Sequence, residues 1–121
     1  MGHILQRVKL SAEKAAGVSM LVDTWATFSV IPASLARAVG IRPLRRSVAM
    51  TLADGRRVRV NPGTAAFRIG GREAPATILV GDVVEPILGV ETLEALGLVV
   101  DSRRRRLVPS RSYAARLGSY R

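Results

Sequence analysis

Residues 19–32 read SMLVDTWATFSVIP. An apolar run delivers one acidic residue, Asp23, into Thr24-Trp25-Ala26-Thr27, and the chain then turns apolar again. A carboxylate flanked by Leu21-Val22 and Phe28 is costly to bury charged unless it is hydrogen-bonded or paired. No second aspartate has a matching setting. Asp54 falls at a hairpin tip, and Asp82 and Asp101 stand at strand ends in VGDVV and VVDSR. Asp23 of a second copy is therefore a candidate partner. Equally, a lone Asp-Thr pair serves as a turn or cap in many chains, because the short carboxylate accepts a bond from backbone two residues on.

The flanking sequence sets Asp23 at the end of a strand. ILQRVKL, residues 4–10, alternates apolar and polar residues as a half-buried strand does, and GVSMLV before Asp23 suits a second, with Ala15-Ala16-Gly17 near the turn. FSVI resumes an extended pattern. Pro32 then opens a short helical pattern, PASLARAVG, that Gly40 stops. In SVAMTLADGRRVRV two alternating arms flank Ala53-Asp54-Gly55, a strong local signal for a hairpin. TAAFRIGGREAPATILVG repeats that logic around Gly70-Gly71. PILGVETLEALGLVVD closes a strand at Ile87-Leu88-Gly89 and makes a short helix with Val90, Leu93 and Leu96 on one side, stopping at Gly97. The two helical segments align, Gly40 on Gly97, Val39 on Leu96 and Ile41 on Leu98, which fits either an internal duplication or chance likeness of two Leu/Ala helices. LVVDSRRRRLVP reads as a last hairpin with an arginine-rich turn.

Composition narrows the chemistry. At 121 residues the chain suits one domain, expected over residues 1–109, followed by a basic C-terminal tail over 110–121. Cysteine is absent and His3 is the single histidine, which removes disulfides, thiolate metal sites, multi-histidine metal clusters and a Ser-His triad from the core. No cofactor is expected. Carboxylates and hydroxyls must carry any reaction, and Thr27 or Ser29 would need a base that the sequence does not offer. No stretch approaches a bilayer span and no leader-like segment opens the chain, so a cytoplasmic location is the expectation. The net charge of +10 is uneven: residues 1–101 carry twelve Lys/Arg against nine Asp/Glu, and residues 102–121 carry seven Arg and no acid. Arg103, Arg104, Arg105 and Arg106 are a solvated turn on the simpler reading and a contact for nucleic acid or an anionic membrane on the other. Tyr113 and Tyr120 stand alone, without the interleaved aromatics that stack on bases.

LVDTWATFSVIP, LADGRRV and PILGVETLEALGLVVD, in that order and at that spacing, resemble the retropepsin-like aspartic proteases, especially their small bacterial and archaeal members. The resemblance runs from about Ile4 to Pro109. It implies an all-β, closed β-barrel acid protease fold with one or two short helices, assembled as a C2 homodimer. It further implies an aspartic endopeptidase that hydrolyses a peptide or protein substrate. Asp23 would supply the catalytic carboxylate and Thr24 a hydrogen bond across the dimer. A hairpin flap at Ala53, Asp54 and Gly55 would cover the substrate beside Trp25 and Ala26, and Ile87, Leu88 and Gly89 would brace the active-site loop.

The family pattern has glycine where this chain has Trp25. An indole of about 200 Å² must then go somewhere. It can fill the cleft and silence the enzyme, leaving a peptide-binding or scaffold module; it can swing aside and narrow specificity; or it can disturb the loop and the dimer. A core aromatic, the commonest fate of a lone tryptophan, is the plainer alternative.

Overall fold

A computed structural model describes residues 3–52 and 54–110. Nine strands and two helices follow one another as β1 (Leu5–Ser11), β2 (Ala15–Val22), β3 (Ser29–Pro32), α1 (Ala33–Val39), β4 (Val48–Thr51), β5 (Arg57–Ile69), β6 (Arg72–Gly81), β7 (Ile87–Leu88), α2 (Val90–Leu96), β8 (Leu98–Asp101) and β9 (Arg106–Pro109). The main sheet has the order β1-β2-β7-β3-β6-β5-β4, and an added β1–β5 pairing closes it into a barrel, with β4 outside the closure. Closure pairs β1 with β5 and leaves β4 as the edge strand of this sheet.

Alternation along the strands fills the barrel. Val8 and Leu10 from β1, Ala65 and Phe67 from β5, and Ala76, Ile78 and Val80 from β6 all point inward, joined by Met20, Ile31 and Leu88. The helices cover this core through Ala36 and Val39 of α1 and Leu93 and Leu96 of α2. Each helix ends on a glycine in the left-handed region, Gly40 at φ 80° and Gly97 at φ 71°, where a side chain would be strained. A smaller apolar group of Val30, Val60 and Leu79 lies apart, flanked by Phe28, Met50 and Ile87.

Two parallel pairings organise the centre. β2 runs beside β7, Leu21 against Ile87 and Val22 against Leu88. β6 runs beside β3, Leu79 against Val30 and Val80 against Ile31. Between them β3 and β7 meet antiparallel at Val30 and Ile87. Exchanging Val30 with Ile87 exchanges the two parallel pairings, so a hairpin, a loop, a short strand and a capped helix occur twice about a local two-fold. This is the arrangement an internal duplication produces, and it keeps the alignment of Gly40 with Gly97.

Most elements fall where the pattern puts them, with four adjustments. The first hairpin turns at Ala12–Lys14, where Ala12 N–H donates to the Lys14 carbonyl at 3.0 Å, so Ala15-Ala16-Gly17 belong to β2 and pair with Leu10, Lys9 and their neighbours. The interval left between the Asp54 and Gly70 hairpins is strand too: Asn61-Pro62-Gly63 lie inside β5, opposite Val80, Leu79 and Ile78. The extended strand of the third motif ends at Leu88, Gly89 serving as the cap of α2. On α2 it is Thr92 that is buried beside Leu93 and Leu96, while Val90 is half-buried.

Candidate active site

Asp23 is the first residue beyond β2. Its N–H donates to the Leu88 carbonyl at 3.0 Å, continuing the β2–β7 ladder by one more bond. Its carboxylate Oδ1 accepts the Trp25 N–H at 2.9 Å, and its carbonyl accepts the Ala26 N–H at 3.1 Å. Both bonds close a tight turn that fixes where the acid points. The side chain is half-buried, and Thr24 beside it is exposed.

The following residues are pinned from beneath by α2. No side chain caps that helix. Instead Val90 N–H donates to the Ala26 carbonyl and Glu91 N–H to the Thr27 carbonyl, each at 2.8 Å, so the loop's own carbonyls satisfy the orphan donors of the helix start. Gly89 makes this approach possible. A Cβ there would sit 2.5 Å from the Phe28 carbonyl carbon and oxygen and 3.0 Å from the Ala26 oxygen. Its φ of −96° is open to any residue, so the requirement is for room and not for an unusual backbone.

A buried hydrogen-bond chain completes the support. Ser29 Oγ and Thr92 Oγ1 lie 2.6 Å apart with both residues 0% exposed, and Gly89 N–H donates to Ser29 Oγ at 3.0 Å. Ser29 is thereby committed to structure. Neither Ser29 nor Thr92 stands out in the sequence as a site residue, since 63 positions separate them.

Asp23 opens onto a cleft of about 1200 Å³. Its floor is the small apolar group Val30, Val60 and Leu79; Trp25, Ala26 and Thr27 line it on one side, Val83, Val84 and Glu85 from the loop before β7 on another. The β4–β5 hairpin borders it through Val48 to Leu52, Asp54 and Arg56. That hairpin turns where the Asp-Gly signal predicts. Leu52 N–H donates to the Arg56 carbonyl at 2.8 Å, Gly55 N–H to the Leu52 carbonyl at 2.9 Å, and Gly55 takes φ 87°. Asp54 grips Arg56 twice, accepting the backbone N–H at 3.0 Å and Nε at 2.8 Å. The backbone bond and then the guanidinium bond hold the Asp54 carboxyl below the ordinary aspartate value. Ala53 lies outside the described residues.

Trp25 is 92% exposed and is among the residues that line the cleft, so it is no core aromatic. The structure thus brings together Asp23, Thr24, Trp25 and Ala26 on one loop, joins that loop to Ile87-Leu88-Gly89, and sets Asp54 and Gly55 on the neighbouring hairpin. Arg103, Arg104 and Arg105 form the β8–β9 turn and Arg106 opens β9, none of them lining the cleft, and Asp101 Oδ1 accepts the N–H groups of Arg103 and Arg104. Sequence reasoning passes over Glu85 and Glu91, whose only signal is an acidic residue close to the Ile87-Leu88-Gly89 triplet on either side.

Among solved structures, EIAV protease complexed with the inhibitor HBY-793 superimposes with a TM-score of 0.65 at 22% sequence identity, over 79% of this chain and 89% of that one. The likeness establishes the fold as retropepsin-like. No curated protein sequence matches the chain. The profile of the family described as gag-polyprotein putative aspartyl protease matches residues 8–95, and the chain belongs to that family of retropepsin-like aspartyl proteases.

Proposed function

We propose that the protein is an aspartic endopeptidase that works as a C2 homodimer, each subunit contributing one Asp23. Support comes above all from the setting of Asp23: a carboxylate held by the Trp25 N–H at the edge of a large cleft. Family membership supports the same chemistry.

Two carboxylates about 3 Å apart cannot both ionise comfortably, so the pair holds one proton between them. The ionised Asp23 takes a proton from a water as its oxygen attacks the peptide carbonyl carbon. The protonated Asp23 gives its proton to the carbonyl oxygen, producing a neutral tetrahedral diol. Collapse returns a proton from a hydroxyl and delivers one to the amide nitrogen as the C–N bond breaks. Thr24 is exposed beside Asp23 and, in this reading, bonds across the two-fold to fix the separation of the loops. The β4–β5 hairpin acts as the flap, closing over an extended peptide and excluding water.

A second reading is favoured by one observation, the exposed indole of Trp25 in the cleft. There the dimer keeps the fold and binds peptides without cutting them. Cleavage of a broad peptide library from about pH 3 to 7 by the protein, by Trp25→Gly and by Asp23→Asn separates the two. Cleavage by the protein that Asp23→Asn abolishes supports the endopeptidase. Cleavage by Trp25→Gly alone assigns the indole as a plug over intact machinery. A sedimentation mass of one subunit under assay conditions rules out the shared-proton mechanism.

A further inference from the structure

The cleft and the chain as a whole carry opposite charge. The sequence is strongly basic, at +10. The cleft is lined by four carboxylates, Asp23, Asp54, Glu85 and Glu91, and by one basic residue among the described residues, Arg56. Arg56 is already spoken for, its Nε lying 2.8 Å from Asp54 Oδ2. Glu85 and Glu91 form no ion pair among the described residues. Glu91 is nevertheless held in place, since Thr77 N–H donates to its Oε1 at 3.1 Å. Glu85 is exposed in the loop that precedes β7, next to Val84, which is 100% exposed.

Two carboxylates without an ion pair and an exposed indole lining one cleft are complementary to a cation. The carboxylates attract it and accept its hydrogen bonds. The indole offers the aromatic face over which guanidinium or ammonium groups settle, and the apolar floor takes the methylene stem of such a side chain. An acidic peptide would meet the carboxylates unpaired and be repelled.

We infer that the cleft selects extended peptides bearing a lysine or arginine side chain, with Glu85 and Glu91 as the charge-reading residues and Trp25 as the aromatic platform. The inference rests on the reading of the cleft as a peptide site and adds the class of peptide it takes. Trp25 determines specificity in this arrangement and is not an obstruction.

The chain's single tryptophan is among the residues that line the cleft, so its fluorescence gives a readout separate from cleavage. The test uses the full chain and three tryptophan-free eight-residue peptides that differ at one position, Arg, norleucine or Glu, scanned across the peptide. Binding is read by fluorescence and cleavage by mass spectrometry. The arginine peptide is expected to bind on the order of tenfold more tightly than the glutamate peptide at low salt, with the ratio shrinking as salt rises. Glu85→Gln and Glu91→Gln each compress that ratio roughly threefold, whereas Glu94→Gln, which removes the same charge outside the cleft, leaves it unchanged. Equal affinity for the three peptides, or a ratio that responds equally to Glu94→Gln, overturns the inference. Cleavage without charge preference overturns it and leaves the endopeptidase standing. Charge-selective binding without cleavage supports it and removes the endopeptidase. Neither a fluorescence response nor cleavage with any of the peptides overturns both.

Discussion

Asp23 and Gly81 hold the same place in the two halves of one chain. Leu21-Val22 runs into Asp23 beside β7, and Leu79-Val80 runs into Gly81 beside β3, in matching parallel pairings. The surroundings then diverge. After Asp23 the chain folds back on its own carboxylate and hands two carbonyls to α2. Gly81 instead stays in the sheet, opposite Val60, where a Cβ would come within 2.7 Å of Val60 Cγ1. The aspartate next door, Asp82, occupies the following position and is exposed. One half is built to present a carboxylate and the other to pack a strand. This is the physical reason that the proposed two-carboxylate site needs a second subunit.

The caps of the two helices offer the sharpest way to break the likeness. Pro32 caps α1 and Gly89 caps α2, both with extended backbone. The Asp23 loop crosses close over Gly89, whereas Pro32 lies alongside Gly81 of β6 in the sheet. Gly89→Ala would drive a methyl into the Phe28 backbone, which cannot move without lifting the Asp23 loop. The expected loss is about 3 kcal/mol, at the upper end for overpacking because the neighbour is main chain. Pro32→Ala should cost no more than about 1 kcal/mol, a small change in unfolded-chain entropy. Urea denaturation of both variants checks the difference, and equal losses would mean that the crossing at Gly89 is not what requires a glycine.

Gly81→Asp asks whether the second half can be given the first half's carboxylate. Val60 is a β-branched side chain fully buried in the cleft floor, so it cannot swing away. A destabilisation of about 2 kcal/mol is expected, with no gain of cleavage by a monomer. Wild-type stability together with monomeric activity would show that the halves are interchangeable.

Ser29→Ala comes next in size. It deprives the Thr92 hydroxyl and the Gly89 N–H of a partner at a site with no exposure, which should cost about 2 kcal/mol. The corresponding position before β7 is Pro86, which has no hydroxyl, so nothing equivalent ties α1 to the second loop. Ser29→Ala with Thr92→Val, which empties the site of one unpaired hydroxyl, should lose less than the sum of the single changes.

These pairs also mark how far the sequence could be read. Local signals sufficed wherever a residue acts on its own neighbourhood: Asp54-Gly55 and Gly70-Gly71 at turns, Gly40 and Gly97 at helix ends, and the alternation that places Asp23 at a strand end. The first turn, at Ala12–Lys14, carries no glycine, proline or asparagine, and the small residues after it drew the turn too far along. Pro62 and Gly63 look like a break, yet β5 passes through them. A Gly63 Cβ would lie 3.2 Å from Ile41 and 3.3 Å from Ile78, and Leu44 N–H donates to the Pro62 carbonyl at 2.7 Å, so long-range packing decides the conformation there. The Ser29–Thr92 bond and the charge of the cleft are likewise long-range facts. No window of the sequence contains both ends of either.

The smallest effect expected lies in the hairpins that follow the two helices. β4–β5 borders the cleft and β8–β9 forms a separate two-stranded sheet, and each is tied at its turn by an aspartate, Asp54 or Asp101, that accepts a backbone N–H two residues on. The Arg56 N–H and then its guanidinium hold the Asp54 carboxyl low. A carboxyl held low in the folded tip stabilises that tip at pH above the ordinary aspartate value of about 3.9, and the stabilisation is lost as pH falls through the lowered value. The Arg56 amide should therefore exchange its hydrogen slowly above that range and faster, by a fewfold, as the solution becomes more acidic than it. Asp54→Asn keeps an oxygen for the Arg56 N–H but removes the charge, and its exchange should not steepen on acidification. NMR exchange rates at Arg56, corrected for the intrinsic pH dependence, measure this. An acid-side rise at Arg56 that persists unchanged in Asp54→Asn would mean that the Asp54 charge is not what steadies the hairpin tip beside the cleft.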